Sequence, residues 1–585
     1  PMDGVSLAYT WDDADADSKP RFWRLKWIFT RRLCFGGLAG GLVFFVLSMT
    51  PSLVPRSALF QGIVTGVSLI CGYGIGSALS AGIRKVRSGE PSAHFKRIAW
   101  WVLLGSSVVI APIALWWGTE WQEDLRRLMS MEQLKAYEWG LILVLAVVVA
   151  AIVLIVSRVI RGGARALIRQ FDKFLPPRVA VIGGFTLAVV IVAGLFQGVL
   201  FDGMVSAVNQ SYSVIDKGTS PWISQPQSEL RSGGPGSVID WDSLGVKGRD
   251  FAGEGGSPTV EEIAEFTGGE AAEPIRVYAG LKSADSVDER VELALTDLEA
   301  MGAFDRSVIA VMTTTGTGGV DENVADSFEF QHAGDTAAVA MQYSYLPSWV
   351  SFLVDRSKAA DAGRELIGAV SARIDEMPEG DRPKLLVFGE SLGSYGTESA
   401  FEDLDDLRAR TDGAMLVGPT FTNPIHGDLT DGRDEGSPSW RPIIEDGQEV
   451  RFYVEPGDES DPALTGGAEW EAPRVIYLQN SSDPITYFNP ELLWKPPSWL
   501  DDPRGPDVSS DMVWVPVVTF WQVAADMAFS MGVPAGHGHR YGSNVVDGWV
   551  ALATPEGWTA DDTEALRQLT DQRAEERDKR KEAAG

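Results

Sequence analysis

The sequence predicts a two-part chain: an α-helical membrane domain of about five transmembrane helices, followed by an α/β domain on a mainly parallel sheet. Three observations carry this. Apolar stretches long enough to cross a bilayer, about 20 helical residues, fall at roughly 33–54, 58–83, 99–117, 137–157 and 179–200. From residue 275 onward, short β-branched runs alternate with helical stretches, the pattern of strands buried on both faces. The charge divides at the same boundary. Residues 1–200 hold 21 Lys and Arg against 12 Asp and Glu, while residues 201–585 hold 29 against 68.

Residues 1–32 read as a cytoplasmic N-terminal segment and 33–201 as the transmembrane helical domain. The fourth span, LILVLAVVVAAIVLIVS, carries no charge, and the second is rich in glycine (Gly62, Gly66, Gly72, Gly74, Gly76), which suits close helix packing. A cleavable leader does not fit the first span, because four more follow and no small-residue cleavage pattern is evident. Orientation follows from the loops. Residues 21–32, 84–97 and 158–178 hold 16 Arg and Lys, against 4 in the alternate loops. The positive-inside rule then places the N-terminus in the cytoplasm and, after five spans, the C-terminal half outside it. Cys34 and Cys71 lie inside apolar runs, so no disulfide framework or cysteine-based zinc site is expected. The acidic C-terminal half excludes nucleic-acid binding through a broad basic surface.

Residues 202–273, rich in Gly, Ser, Pro and Asp, read as an irregular extracytoplasmic connector, with packing on the next domain as an option. The α/β domain spans 274–559. Strands are expected at IRVYAG (275–280), SVIAVMTTTG (307–316), AAVAMQYS (337–344), KLLVFGES (384–391), AMLVGPT (414–420) and RVIYLQNSSD (474–483). Residues 421–470 break the rhythm and read as an insertion, and 560–585 as a charged tail, a solvated helix or disordered. The tryptophan-rich stretch 494–530 reaches spanning length, yet Pro516, Gln522 and Asp526 would be costly in lipid. It reads as a helix of the core or of the membrane interface, with an acyl-chain entrance as the sharper hypothesis.

The sharpest chemical signal is Gly389-Glu390-Ser391-Leu392-Gly393, between a strand and a helical stretch. Small residues around a serine in that context make a nucleophile elbow, which defines an α/β-hydrolase domain. A serine hydroxyl needs a base, and the base an orienting acid, in the chain order Ser, acid, His. Asp483, ending the strand RVIYL, is the expected acid; a turn-capping Asp before Pro484 is the alternative. Of the five histidines, His94 falls in a cytoplasmic loop, and His332 and His426 suit surface or structural roles. His537 or His539, in GHGHRY, is the expected base, and the other holds the loop. Leu392 supplies one oxyanion N–H by construction. Gly316 and Thr317, in the loop after SVIAVM, are candidates for the second; a plain flexible loop is the even alternative. His537 and His539 with Asp483 could in principle hold a metal, but no further His or Cys cluster supports one, so neither metal nor cofactor is expected.

The chain resembles the actinobacterial membrane-anchored α/β-hydrolase family, which joins a multi-span domain to an extracytoplasmic hydrolase domain. The resemblance is carried by RSGGPGS (231–237), PIRVYAGL (274–281), TTTGTGG (313–319), GDTAAVAMQYSYLPSWVSFLVDR (334–356), FGESLGSYG (388–396), VIYLQNSSDP (475–484) and VPAGHGHRYG (533–542). It implies an envelope serine hydrolase or acyltransferase with Ser391 as nucleophile. The hydrolase fold is also similar to that of mycolyl transferases, whose late histidine is followed two residues on by an aromatic. His539 and Tyr541 match that spacing, which favours His539. Tethering to a membrane favours a membrane lipid or acylated envelope glycolipid as substrate. The rival expectation is a non-catalytic envelope scaffold or lipid-binding or transport protein, against which the spans' near-absence of ionisable residues counts.

Overall fold

The computed structural model describes residues 33–86, 91–174, 176–194, 197–198, 201–455, 458 and 462–584. The N-terminal segment 1–32 and part of the fifth span lie outside them. Contacts divide the chain into two units. One comprises the stretches up to Met49, Ala58–Leu115 and Ala136–Leu200; the other comprises Thr50–Ser57, Trp116–Lys135 and everything from Phe201.

The first unit is helical: α1 (Phe35–Leu47), α2 (Ala58–Val86), α3 (Ala93–Leu128, whose last turns belong to the second unit), α4 (Ala136–Phe171) and α5 (Pro177–Gly194). Among the described residues α2, α3 and the stretch Tyr137–Phe171 are long and apolar enough to cross a membrane, whereas α1 and Ile182–Gly194 are shorter. Of the glycines singled out on α2, Gly62, Gly66, Gly72 and Gly76 sit at close helix contacts, whereas Gly74 faces open space. A Cβ on Gly72 would strike the Gly40 carbonyl, so α1 and α2 meet backbone to backbone.

The second unit starts with α6 (Asp202–Ile215), α7 (Gly245–Ala252) and α8 (Val260–Thr267). The stretch read as a connector is therefore ordered. Its RSGGPGS segment lies along the sheet edge, with Ser232 N–H donating to the Arg276 carbonyl at 3.1 Å. The fully buried Asp297 accepts from Ser232 Oγ at 2.8 Å and Val238 N–H at 2.8 Å.

Seven strands follow, β1 (Ile275–Ala279), β2 (Val308–Thr313), β3 (Thr336–Met341), β4 (Lys384–Glu390), β5 (Gly413–Val417), β6 (Val450–Tyr453) and β7 (Arg474–Leu478). They form one sheet in the order β1-β3-β2-β4-β5-β7-β6, and every pairing is parallel. Helices α9 (Val287–Ala300), α10 (Glu322–Gln331), α11 (Ser348–Val354), α12 (Arg356–Asp375), α13 (Leu392–Glu398) and α14 (Leu404–Arg410) connect them. The strands are buried almost throughout, as their continuous apolar runs require. Local signals set the helix starts: Ser286 and Glu289 form a reciprocal capping box on α9.

Two stretches differ from the sequence reading. The presumed insertion 421–470 contributes α15 (Pro424–Asp431) and the edge strand β6, whose four residues VRFY are too short and too interrupted by Arg451 to signal themselves. After α16 (Pro462–Thr465), α17 (Pro484–Tyr487), α18 (Val518–Met527) and α19 (Asn544–Leu552), the charged tail forms α20 (Ala560–Ala584). This helix is docked. Arg577 pairs with Asp326 of α10 at 2.8 Å and Arg567 with Asp547 of α19 at 3.0 Å. Ion pairs replace the missing apolar stripe, with Leu566 its one fully buried aliphatic anchor among the described residues.

Candidate active site

The sheet order puts β4 at the centre, and its C-terminal end delivers Ser391. Ser391 has φ 57° and ψ −124°, a conformation that costs an L-residue energy and persists only where the surroundings impose it. They do so closely. A Cβ on Gly389 would meet the Gly393 carbonyl, and one on Gly393 would meet the carbonyls of Thr313 and Thr314. The strand-to-helix turn therefore excludes larger residues at both positions, which is the mechanical content of G-x-S-x-G. Ser391 N–H donates to the Val417 carbonyl at 2.8 Å, tying the elbow to the end of β5.

The residue that follows β5, Gly418, lies under the histidine. A Cβ there would come within 2.5 Å of His539 Cε1. His539 Nδ1 contacts Asp483 Oδ2 at 2.6 Å. The same oxygen accepts from Tyr541 Oη at 2.7 Å, and Oδ1 accepts from Ile485 N–H at 2.8 Å. Asp483 is fully buried and caps α17. Both sequence readings of Asp483, turn cap and histidine partner, thus describe one carboxylate. With Nδ1 engaged, His539 Nε2 is buried and makes no hydrogen bond among the described residues. This tautomer leaves Nε2 as the proton acceptor. No hydrogen bond joins it to Ser391 Oγ here; such contacts commonly form only with substrate bound.

His537 has a different partner. Its Nδ1 lies 3.0 Å from Asp507 Oδ2, and Asp507 also accepts from the hydroxyls of Ser481 and Ser482. Ser482 Oγ in turn accepts from Gly538 N–H at 2.8 Å. His537 therefore braces the loop that carries His539. Among the described residues no group of three or more His, Cys, Asp and Glu side chains could hold a metal ion, and His537 and His539 turn to different carboxylates.

Leu392 follows the serine at the start of α13 and is buried. Gly316 and Thr317 occupy the centre of a tight turn in which Gly318 N–H donates to the Thr315 carbonyl at 2.9 Å. Tyr278 Oη donates to the Gly318 carbonyl at 2.5 Å and Gln342 to the Thr317 carbonyl at 3.3 Å. The loop is thus fixed from β1 and from the end of β3. Its stem touches the elbow through Thr313 and Thr314, while Gly316 and Thr317 lie further along.

Electrostatics separate the carboxylates. Burial disfavours charge on His539, but Asp483 and its hydrogen bond, with Glu390 adding, outweigh it and hold the imidazole above its ordinary range. Glu390 is pushed up to about 8 by burial and then by the charge of Asp321, against the pull of His539. At the end of α13, the fully buried Glu398 accepts from Asn423, Tyr477 and the Ile425 and His426 N–H groups. Burial still pushes its carboxyl up to about 7. Asn423 also donates to Ser394 Oγ, which donates to the Ser391 carbonyl at 2.6 Å. The buried His426, down to about 4 through burial, contacts Gln479 and belongs to the core rather than the surface. Sequence reading missed Glu390, Glu398 and Asp507. Only the first carried a signal, as the variable residue of the elbow.

A base at Nε2 works unprotonated, so the titration of His539 is expected in Ser391 reactivity. Because the His539 pKa is raised, reactivity climbs with pH through a midpoint above 6.5, the value of an unperturbed histidine. Rates of covalent modification of Ser391 between pH 5 and 9 check this, and a midpoint at or below that value contradicts the arrangement.

A parallel sheet whose central strand ends in a strained serine, beside a buried pair of an Asp that follows the last strand and a His from a later loop, defines an α/β-hydrolase fold. Comparison with protein families agrees: the Alpha/beta-hydrolase family matches residues 275–566, and its N-terminal region, Alpha/beta-hydrolase family N-terminus, matches residues 49–256. The chain belongs to this alpha/beta-hydrolase family. None of the curated proteins and none of the solved structures matches it.

Proposed function

We infer that the protein is a membrane-anchored serine hydrolase or acyltransferase that works through an acyl-enzyme on an ester of a lipid or acylated envelope glycolipid. The observation that carries this reading is the pairing of the elbow conformation at Ser391 with the 2.6 Å His539–Asp483 contact, whose aspartate follows the strand two along the sheet. Ser391 Oγ attacks the ester carbonyl while His539 Nε2 takes its proton, and Asp483 steadies the imidazolium. The Leu392 N–H is one donor to the oxyanion, and the loop after β2, whose stem at Thr313 and Thr314 meets the elbow, supplies the second. Collapse of the tetrahedral intermediate breaks the C–O bond, and His539 returns the proton to the departing alcohol. Water or an acceptor hydroxyl then reverses the sequence, giving a free acid or a transferred acyl group.

Two features favour a lipid-borne ester. The chain carries helices long enough to span a membrane. The hydrolase unit also exposes Trp116, Trp117, Trp494 and Trp521, a residue type that prefers the lipid headgroup region. Trp121, on the last turns of α3, donates to Asp511 at 3.0 Å and so ties the tryptophan-rich stretch to the end of a membrane helix. Loop charge favours a cytoplasmic N-terminus and an extracytoplasmic hydrolase domain.

The test is fluorophosphonate labelling of the full-length protein in detergent. Labelling is expected in the wild type and absent in Ser391→Ala. A folded wild type that stays unlabelled argues against an activated serine.

A further inference from the structure

The segment Thr50–Ser57 lies between two apolar helices in sequence, yet belongs to the hydrolase unit. Arg56 and Asp526 are both fully buried. Arg56 Nε donates to Asp526 Oδ1 at 2.6 Å and Nη2 to Oδ2 at 3.5 Å. Oδ2 also accepts from the Ser52 hydroxyl and, at 3.2 Å, from Leu53 N–H. One carboxylate on α18 thus gathers both ends of the segment. Gln522, a turn earlier, donates to the Thr50 carbonyl at 2.8 Å. Buried charges persist only when paired and hydrogen-bonded in this way, so the geometry is held firmly.

From there the path to the site is short. Phe529 N–H donates to the Asp526 carbonyl at 2.9 Å, and the next carbonyl, of Ser530, accepts His539 N–H at 2.9 Å. On the other side Val54 is fully buried with Val533 and Met129. A Cβ on Gly538 would lie 3.4 Å from Val54. The segment therefore anchors the helix that leads into the turn holding the backbone of His539, and it packs against the residue beside that histidine.

We propose that Thr50–Ser57, pinned by the Arg56–Asp526 ion pair, is a positioning element of the active site. It sets the 530–539 stretch and through it the His539 imidazole, so the reactivity of Ser391 depends on a loop supplied from between two membrane helices. This rests on the triad reading given above. No residue of the loop touches the reacting atoms; it acts through His539.

The experiment uses full-length protein in detergent with Arg56→Met, Arg56→Lys and Val54→Ala. Two quantities are read: the fluorophosphonate labelling rate against pH, and amide hydrogen exchange over 530–540. Arg56→Met is expected to slow labelling about 100-fold, the scale of a small misplacement of a catalytic group. Its pH midpoint moves down, because a loosened Asp483 contact supports the imidazolium less, and exchange over 530–540 quickens. Arg56→Lys recovers part of each change, and Val54→Ala, which keeps the ion pair, shows the same changes in smaller measure. If Arg56→Met does not fold, the other two variants carry the test. Folded variants with wild-type rate, midpoint and exchange overturn the proposal. A wild type lacking Ser391-dependent labelling overturns the triad reading instead, and exchange alone then decides whether the loop holds the 530–540 stretch.

Discussion

His539→Ala is expected to slow phosphonylation of Ser391 by about 10⁴-fold or more, whereas His537→Ala slows it by less than about tenfold. The two histidines stand two residues apart in one loop and each has an aspartate partner, so the contrast rests on geometry. His539 lies over Gly418, the neighbour of the residue that binds Ser391 N–H, and its Nδ1 is held by a fully buried carboxylate. His537 is partly exposed and turned to Asp507, which is already engaged with Ser481 and Ser482. Removing His537 loosens one brace of the loop; removing His539 removes the proposed base. Asp483→Asn should behave like His539→Ala, because an amide facing Nδ1 favours the wrong tautomer. Time courses of labelling at one probe concentration separate the variants. Equal losses at positions 537 and 539 would show that the loop, and not one imidazole, is what matters.

Arg276→Met is expected to cost about 3–5 kcal/mol of stability, the scale for breaking a buried ion pair from one side. Arg276 lies on β1, essentially without solvent exposure. Its guanidinium donates to Glu329 at 2.6 and 2.9 Å, to Asp326 at 3.0 Å and to the Phe251 carbonyl at 3.0 Å. Asp326 keeps Arg573 and Arg577 of α20 when Arg276 is lost. Glu329, fully buried, does not, and it carries most of the penalty. The double variant Arg276→Met/Glu329→Leu should therefore recover much of the loss. Denaturant unfolding followed by tryptophan fluorescence measures both. A cost below about 1 kcal/mol for the single variant would mean that water or another cation reaches Glu329.

What could be read from the chain was what is local. The elbow, its strand and its helix are contiguous, so Ser391 stands out. Asp483 and His539 follow from chain order once the strand ends are found, and the aromatic at Tyr541 marks the histidine whose carboxylate it also binds. Edge strand β6 escaped because four residues around an arginine carry no period. The docking of α20 escaped because its partners sit on α10 and α19, and ion pairs leave no apolar stripe to detect. Asp507 and Glu398 lie in stretches with no motif, and only folding gives them their neighbours. Hydropathy also assigned 50–57 and 116–135 to the membrane domain, since a loop between two spans is read with its spans. Their contacts lie with the hydrolase unit instead.

The Arg56–Asp526 pair joins residues 470 positions apart, and that separation has a consequence in time. At typical synthesis rates of about 5–20 residues per second, Asp526 follows Arg56 out of the ribosome after on the order of half a minute to a minute and a half. Through that interval Thr50–Ser57 already hangs between its two helices with its partner not yet made. The central strands can pair as they emerge, but the corner that carries His539 closes only after the last strand of the sheet has been made. The oldest part of the hydrolase unit waits for almost the youngest.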